Sequence, residues 1–131
     1  IRVEGVKPLA FGTILAGTPA AIVRTDPVRA GQINIAAQPQ SPIILQLSLP
    51  SAMTGPLGAT IPLVFGANDA GFSAQGAIGS QAAFDPRNST VVITNSQNGR
   101  GSVYLGGRAQ PGFSQQPGTY TGVITLTVAY P

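Results

Sequence analysis

Apolar residues in this chain come in short runs or in strict alternation with polar ones, and nowhere at helical spacing. The runs are rich in Val, Ile and Thr and are bounded by Gly, Pro, Asn and Ser, which predicts an all-β protein. Gln32 to Ala36 alternates as a half-buried strand does. Pro42 to Leu49 repeats the pattern, with Ile43, Leu45, Leu47 and Leu49 turned inward and Gln46 and Ser48 outward. Thr90 to Thr94 reads as a strand, and so does Ser102 to Arg108, with Gly106-Gly107 as a bulge or a site of close approach. The longest alternation, Tyr120 to Tyr130, predicts a long central strand. Less regular strands are expected at Ile1 to Val6, Pro8 to Leu15 (Leu9 and Phe11 on one face) and Ala21 to Thr25. Ile61 to Phe65 is apolar enough for another, but Pro62 assigns it to an edge or a bulge. Gly66 to Pro86 is weakly patterned and reads as a long surface connection pinned by Phe72 and Phe84. Roughly seven to nine short strands separated by turn signals fit an immunoglobulin-like β-sandwich better than a barrel.

A length of 131 residues suits a single domain, 1–131. Charged residues make up 8% of the chain, and the 17 Gly and 12 Pro fall between apolar runs, so they read as turn chemistry and not as disorder. With no His and no Cys, catalysis built on imidazole or thiolate is excluded, and zinc, copper, haem and iron–sulfur sites lose their usual ligands. The carboxylates Glu4, Asp26, Asp69 and Asp85 are scattered, so a glycosidase-type pair is disfavoured. We expect no enzyme, no cofactor and no metal; Asn68-Asp69 and Asp85 to Asn88 read as turns whose side chains bond their own backbone. Lys7 lacks a phosphate-binding Gly-rich loop. Arg2, Arg24, Arg29, Arg87, Arg100 and Arg108 form no run, and Arg100 and Arg108 read as strand-end charges, so the net charge of +3 does not point to nucleic acid. No apolar stretch is long enough for a membrane span. Asn88-Ser89-Thr90 fits an N-glycosylation acceptor, and a start at Ile1 without Met reads as a processed or trimmed chain.

Both ends of the chain carry a family resemblance. Leu9-x-Phe11-Gly12-Thr13-Ile14 resembles the L-x-F-G strand that opens a family of exported bacterial immunoglobulin-like domains of unknown function. Leu105-Gly106-Gly107-Arg108-Ala109, followed by Gly118-x-Tyr120-Thr121-Gly122 and the run to Val128, resembles that family's G-x-Y-T-G-x-x-x-V-x-V finish. The same finish is similar to that of spore-coat-U-type and chaperone–usher pilins. The resemblance implies an extracellular, cell-surface sandwich that lacks its last strand and is completed by donor-strand exchange, with a chaperone and an usher as assembly partners. It also implies that Tyr120 is structural, a buried ring whose hydroxyl caps a backbone group.

Only Pro131 follows Tyr130, so no later strand is expected beside the long one, and an exposed apolar edge invites pairing with another chain. The expected acceptor edge is Tyr120, Gly122, Ile124, Leu126, Val128 and Tyr130. Residues 1–8 form the expected donor strand, with Ile1, Val3 and Val6 as its knobs, and 9–131 the sandwich body. This arm is short for a pilin. The expected function is a structural subunit of an extracellular filament, a pilus or fimbria, polymerising head to tail as a homo-oligomer. The alternative is a monomeric exported adhesion module. There Ile1 to Val6 is the ordinary first strand of a self-complete sandwich, and the Gly66 to Pro86 loop or the polar face contacts a glycan or another surface protein.

Overall fold

The computed structural model describes all 131 residues. Twelve strands follow in order: β1 (Arg2–Lys7), β2 (Ala20–Ile22), β3 (Gly31–Ala36), β4 (Pro42–Ser48), β5 (Ala52–Thr54), β6 (Thr60–Val64), β7 (Ala70–Ser73), β8 (Ala82–Phe84), β9 (Thr90–Ile93), β10 (Arg100–Leu105), β11 (Gly107–Ala109) and β12 (Thr125–Ala129). They form three antiparallel sheets in the orders β1-β3-β10-β7-β8, β2-β11-β6-β5 and β12-β4-β9. Single 3-10 turns at Pro56–Gly58 and Ile78–Ser80 are the only helical pieces.

The five-stranded and three-stranded sheets pack face to face, as a sandwich does. Ile35, Phe72 and Val103 of the first meet Ile43 and Leu45 of the second. Burying a side chain of this size is worth about 1.5–3 kcal/mol, so these five residues are a large favourable contribution to the fold. Leu47, Phe65, Ala70 and Leu105 extend it, and Phe11, Ile22, Ala30, Ile61 and Ala109 form a second cluster under the four-stranded sheet. In β4 the expected alternation holds: Ile43, Leu45 and Leu47 are buried while Gln46 and Ser48 are exposed.

One strand changes sheet. The expected Ser102 to Arg108 strand is divided at Gly106, with β10 in the five-stranded sheet and β11 in the four-stranded one. A Cβ on Gly106 would lie 2.2 Å from the Ile22 carbonyl oxygen, and one on Gly107 would lie 2.8 Å from the Phe65 ring. Sandwich corners are built where a strand bends from one sheet into the other. The two glycines allow that bend against β2.

Four expectations are corrected. The Gly66 to Pro86 stretch is not a surface connection: it contains β7, whose residues are all buried, and β8. Burial on both faces removed the alternation that marks a half-exposed strand, because the Gln81 side chain covers Gly71 and Ser73 is fully enclosed. The strand expected to be long and central over Tyr120 to Tyr130 is an edge strand, regular only from Thr125, and before it a single bridge joins Thr121 to Thr54. Pro8 to Leu15 forms no strand, although Phe11 is buried as a plug; Gly12 at φ 70° and Gly17 at φ 74° turn the chain out of extended geometry. Finally, β6 is an inner strand despite Pro62. Pro62 stands where β11 ends, and its carbonyl accepts the Gln110 N–H at 2.9 Å, so its missing N–H costs little.

Candidate functional site

The two facing sheets each leave one edge free on the same side of the molecule. β12 is hydrogen-bonded to β4 alone, through register pairs from Thr125↔Ser48 to Ala129↔Ile44. β1 is bonded to β3 alone, from Arg2↔Ala36 to Lys7↔Gln32, with an irregularity between Gly5 and Lys7 that frees Val6 from the ladder. Between β1 and the segment Gly122 to Ile124 that leads into β12 the sandwich is open. The cleft of about 460 Å³ is lined by Val6, Leu9, Ile33, Leu47, Val103 and Ile124, together with Gly122 and the more polar rim residues Lys7 and Gln32.

The chemistry of this seam is apolar contact and main-chain pairing. Lys7 is the one titratable lining side chain, and its ammonium donates to the Pro27 carbonyl at 2.5 Å. The three aspartates are engaged in local turns. Asp26 accepts the N–H groups of Arg29 and Val28 at 2.9 Å each, and these bonds hold its carboxyl below the usual carboxylate range. The Arg87 guanidinium and N–H do the same for Asp85, and Asp69 accepts the Gly66 N–H at 2.5 Å. This agrees with the turn reading of both acidic segments. No group of three or more acidic, His or Cys residues is placed to hold a metal, and no helix is long and apolar enough to cross a membrane.

The expected donor residues lie on this chain's own sheet edge. Every side chain of β1 is exposed; Ile1 precedes the strand, Val3 pairs across to Ile35, and Val6 lines the cleft. The expected acceptor edge divides into parts. Ile124, Leu126 and Val128 share a half-buried face against the core, while Thr125, Thr127 and Ala129 face out. Gly122 lies beside the cleft but outside β12, with Pro50 near its α-carbon. Tyr130 is exposed, and its hydroxyl accepts the Gln38 N–H at 3.0 Å. Tyr120 is half-buried, not buried as expected. Its hydroxyl donates to the Gln116 carbonyl at 2.6 Å and accepts from Gln115 Nε2 at 2.9 Å, and its ring covers Gly55.

Leu9, Ile33, Leu47 and Val103 were absent from the expected site. The alternation of β3 and β4 marks Ile33 and Leu47 as inward-facing, but nothing local says that the layer above them is incomplete. No family model, curated protein or solved structure matches the chain.

Proposed function

We propose that this chain is a structural subunit of an extracellular filament, an immunoglobulin-like, pilin-like sandwich that polymerises by donor-strand complementation. One observation carries the reading: an apolar cleft opens between the β1 edge and the segment Gly122 to Ile124, which leads into the free-edged β12 of the facing sheet. A strand added along β12 would bond to its unpaired main chain, and its alternate side chains would enter the cleft over Leu47 and Val103. The donor is β1 of a neighbouring copy, with Ile1, Val3 and Val6 as the knobs.

Exchange requires β1 to leave its own β3. That step is inexpensive, because β1 buries none of its side chains and is held by a ladder of five register pairs at about 1 kcal/mol net per hydrogen bond. The motif resemblance at both ends of the chain points the same way, and with it an exported, cell-surface location and an assembly chaperone.

Sedimentation of the purified protein with and without urea is the test. The expected result is high-mass polymer that survives moderate denaturant, and conversion to monomer on deletion of Ile1 to Val6. A wild-type chain that stays monomeric at all concentrations sinks the filament reading. Polymers that form equally well without Ile1 to Val6 sink the donor assignment.

A further inference from the structure

A second concavity lies on the opposite, outer face of the five-stranded sheet. Register sets its layout: Arg2 and Arg100 both pair with Ala36, and Glu4 and Ser102 both pair with Asn34. Two rows of side chains therefore cross β1, β3 and β10 on one face, with the arginine α-carbons two strand spacings apart, about 9–10 Å. The segment Ala74 to Gly76 makes one wall and the turn Asn95 to Asn98 closes the end, around a volume of about 460 Å³.

The walls and floor are fixed. The buried Tyr104 hydroxyl donates to the Gly76 carbonyl at 2.7 Å, and Asn95 Nδ2 donates to the Ala74 carbonyl at 3.0 Å. Fully buried Ser73 accepts the Ala77 N–H at 3.1 Å. In the floor, Asn34 Oδ1 accepts from Ser102 Oγ at 2.8 Å and from Gln32 Nε2 at 3.1 Å, which leaves its Nδ2 hydrogens toward the opening. Asn98 Oδ1 likewise accepts the Arg100 N–H at 3.0 Å, so that amide too has N–H left to offer. Neither Arg2 nor Arg100 is in an ion pair; the chain's one salt bridge joins Arg87 to Asp85.

The concavity is thus rich in unspent donors, with two guanidinium groups and a single carboxylate, Glu4. We propose that it binds a polyhydroxylated, carboxylate-bearing ligand, an acidic saccharide of the uronic-acid type. A guanidinium takes a carboxylate through two parallel bonds. The Asn34 and Asn98 amides suit ring hydroxyls, and Glu4 accepts from hydroxyls while repelling ligands with adjacent negative charges. An acidic peptide would need apolar side-pockets or more cations than this face offers.

The test uses the intact chain and short oligomers of galacturonic, glucuronic and mannuronic acid, with their methyl esters as neutral counterparts. Binding is followed by calorimetry and by amide NMR shifts. At least one acid oligomer should bind in the millimolar range or tighter, its ester at least tenfold more weakly, with shifts at Asn34, Asn98 and Arg100. Arg100→Gln, at an exposed position, should lose at least tenfold while its unfolding midpoint stays put. Equal binding of acid and ester, no binding by any of the three acids, or an unchanged affinity in Arg100→Gln overturns the proposal. So does equal affinity for a Glu-rich hexapeptide. Arg2 and Glu4 lie on β1, which the filament reading moves to a neighbouring copy, so the titrations use dilute monomer with β1 on its own β3; the floor and Arg100 belong to the sandwich body in either state.

Discussion

Gly106→Ala places a methyl group where the fold has backbone. The new Cβ would stand 2.2 Å from the Ile22 carbonyl oxygen, 2.8 Å from the Arg24 nitrogen and 2.9 Å from the Val23 carbonyl carbon, against 3.4 Å for ordinary contact. All three are main-chain atoms, so no rotamer change relieves the clash. Either β2 retreats by about 1 Å and strains its three register pairs with β11, at about 1 kcal/mol per hydrogen bond, or the corner opens and disturbs Leu105 and Ala109. Overpacking of this kind costs about 1–3 kcal/mol, and with the weakened ladder we expect a loss of about 2–4 kcal/mol. Urea unfolding should show a lower midpoint at unchanged slope. Two other glycines calibrate the result. Gly107→Ala meets the Phe65 ring, which can tilt, and should cost less. A Cβ on Gly5 meets nothing within 4 Å, so Gly5→Ala should be neutral or stabilising by about 0.5–1 kcal/mol. If Gly106→Ala unfolds within about 1 kcal/mol of Gly5→Ala, the account of the sheet-switching corner is wrong.

Three further outcomes are expected. Burial pushes the Tyr104 phenol up, so its contribution is complete below the unfolded value of about 10 and is lost as pH rises through the folded one; Tyr104→Phe should therefore lose less stability than wild type between about pH 9 and 12, and an equal alkaline loss would refute this. The buried Thr94 hydroxyl accepts the Ser41 N–H at 2.9 Å and donates to the Gln38 carbonyl at 2.6 Å. Thr94→Val strands both partners and should cost about 1–3 kcal/mol by urea titration. Tyr120→Phe removes the bonds to Gln116 and Gln115 and should cost about 1 kcal/mol, with faster amide exchange confined to residues 111–121; exchange accelerated throughout the chain would argue against a local role.

The half-exposed strands were legible and the fully buried one was not. β3 and β4 carry an inside and an outside, and period-two patterning reports that difference directly, whereas β9 shows in the sequence as a β-branched run whose outward Val91 and Ile93 are as apolar as Val92. β7, Ala-Gly-Phe-Ser, has no outside, and its small residues imitate a loop. The Gly106-Gly107 pair was readable as a close approach, but the sequence does not state which backbone comes close. Tyr120 to Ile124 alternates like the strand that follows, yet it lacks a partner beyond Thr54, because alternation describes two faces and not the presence of a neighbour. The cleft depends on which edges are left unpaired, a property of sheet order. The outer polar concavity has no local signature in the sequence, because Arg2, Asn34 and Arg100 are far apart in sequence and meet only through the β1-β3-β10 register.

The continuous run from Arg100 to Ala109 also has a mechanical consequence. Because it is hydrogen-bonded first into one sheet and then into another, a taut, paired backbone ties the two sheets there, where elsewhere they are joined by loops such as the one between β6 and β7. A tensile load that shears one layer past the other must stretch covalent backbone at that corner, whereas a load applied at β1 can peel one ladder pair at a time. Under pulling, the molecule should yield first at that outer edge, with its interior still assembled.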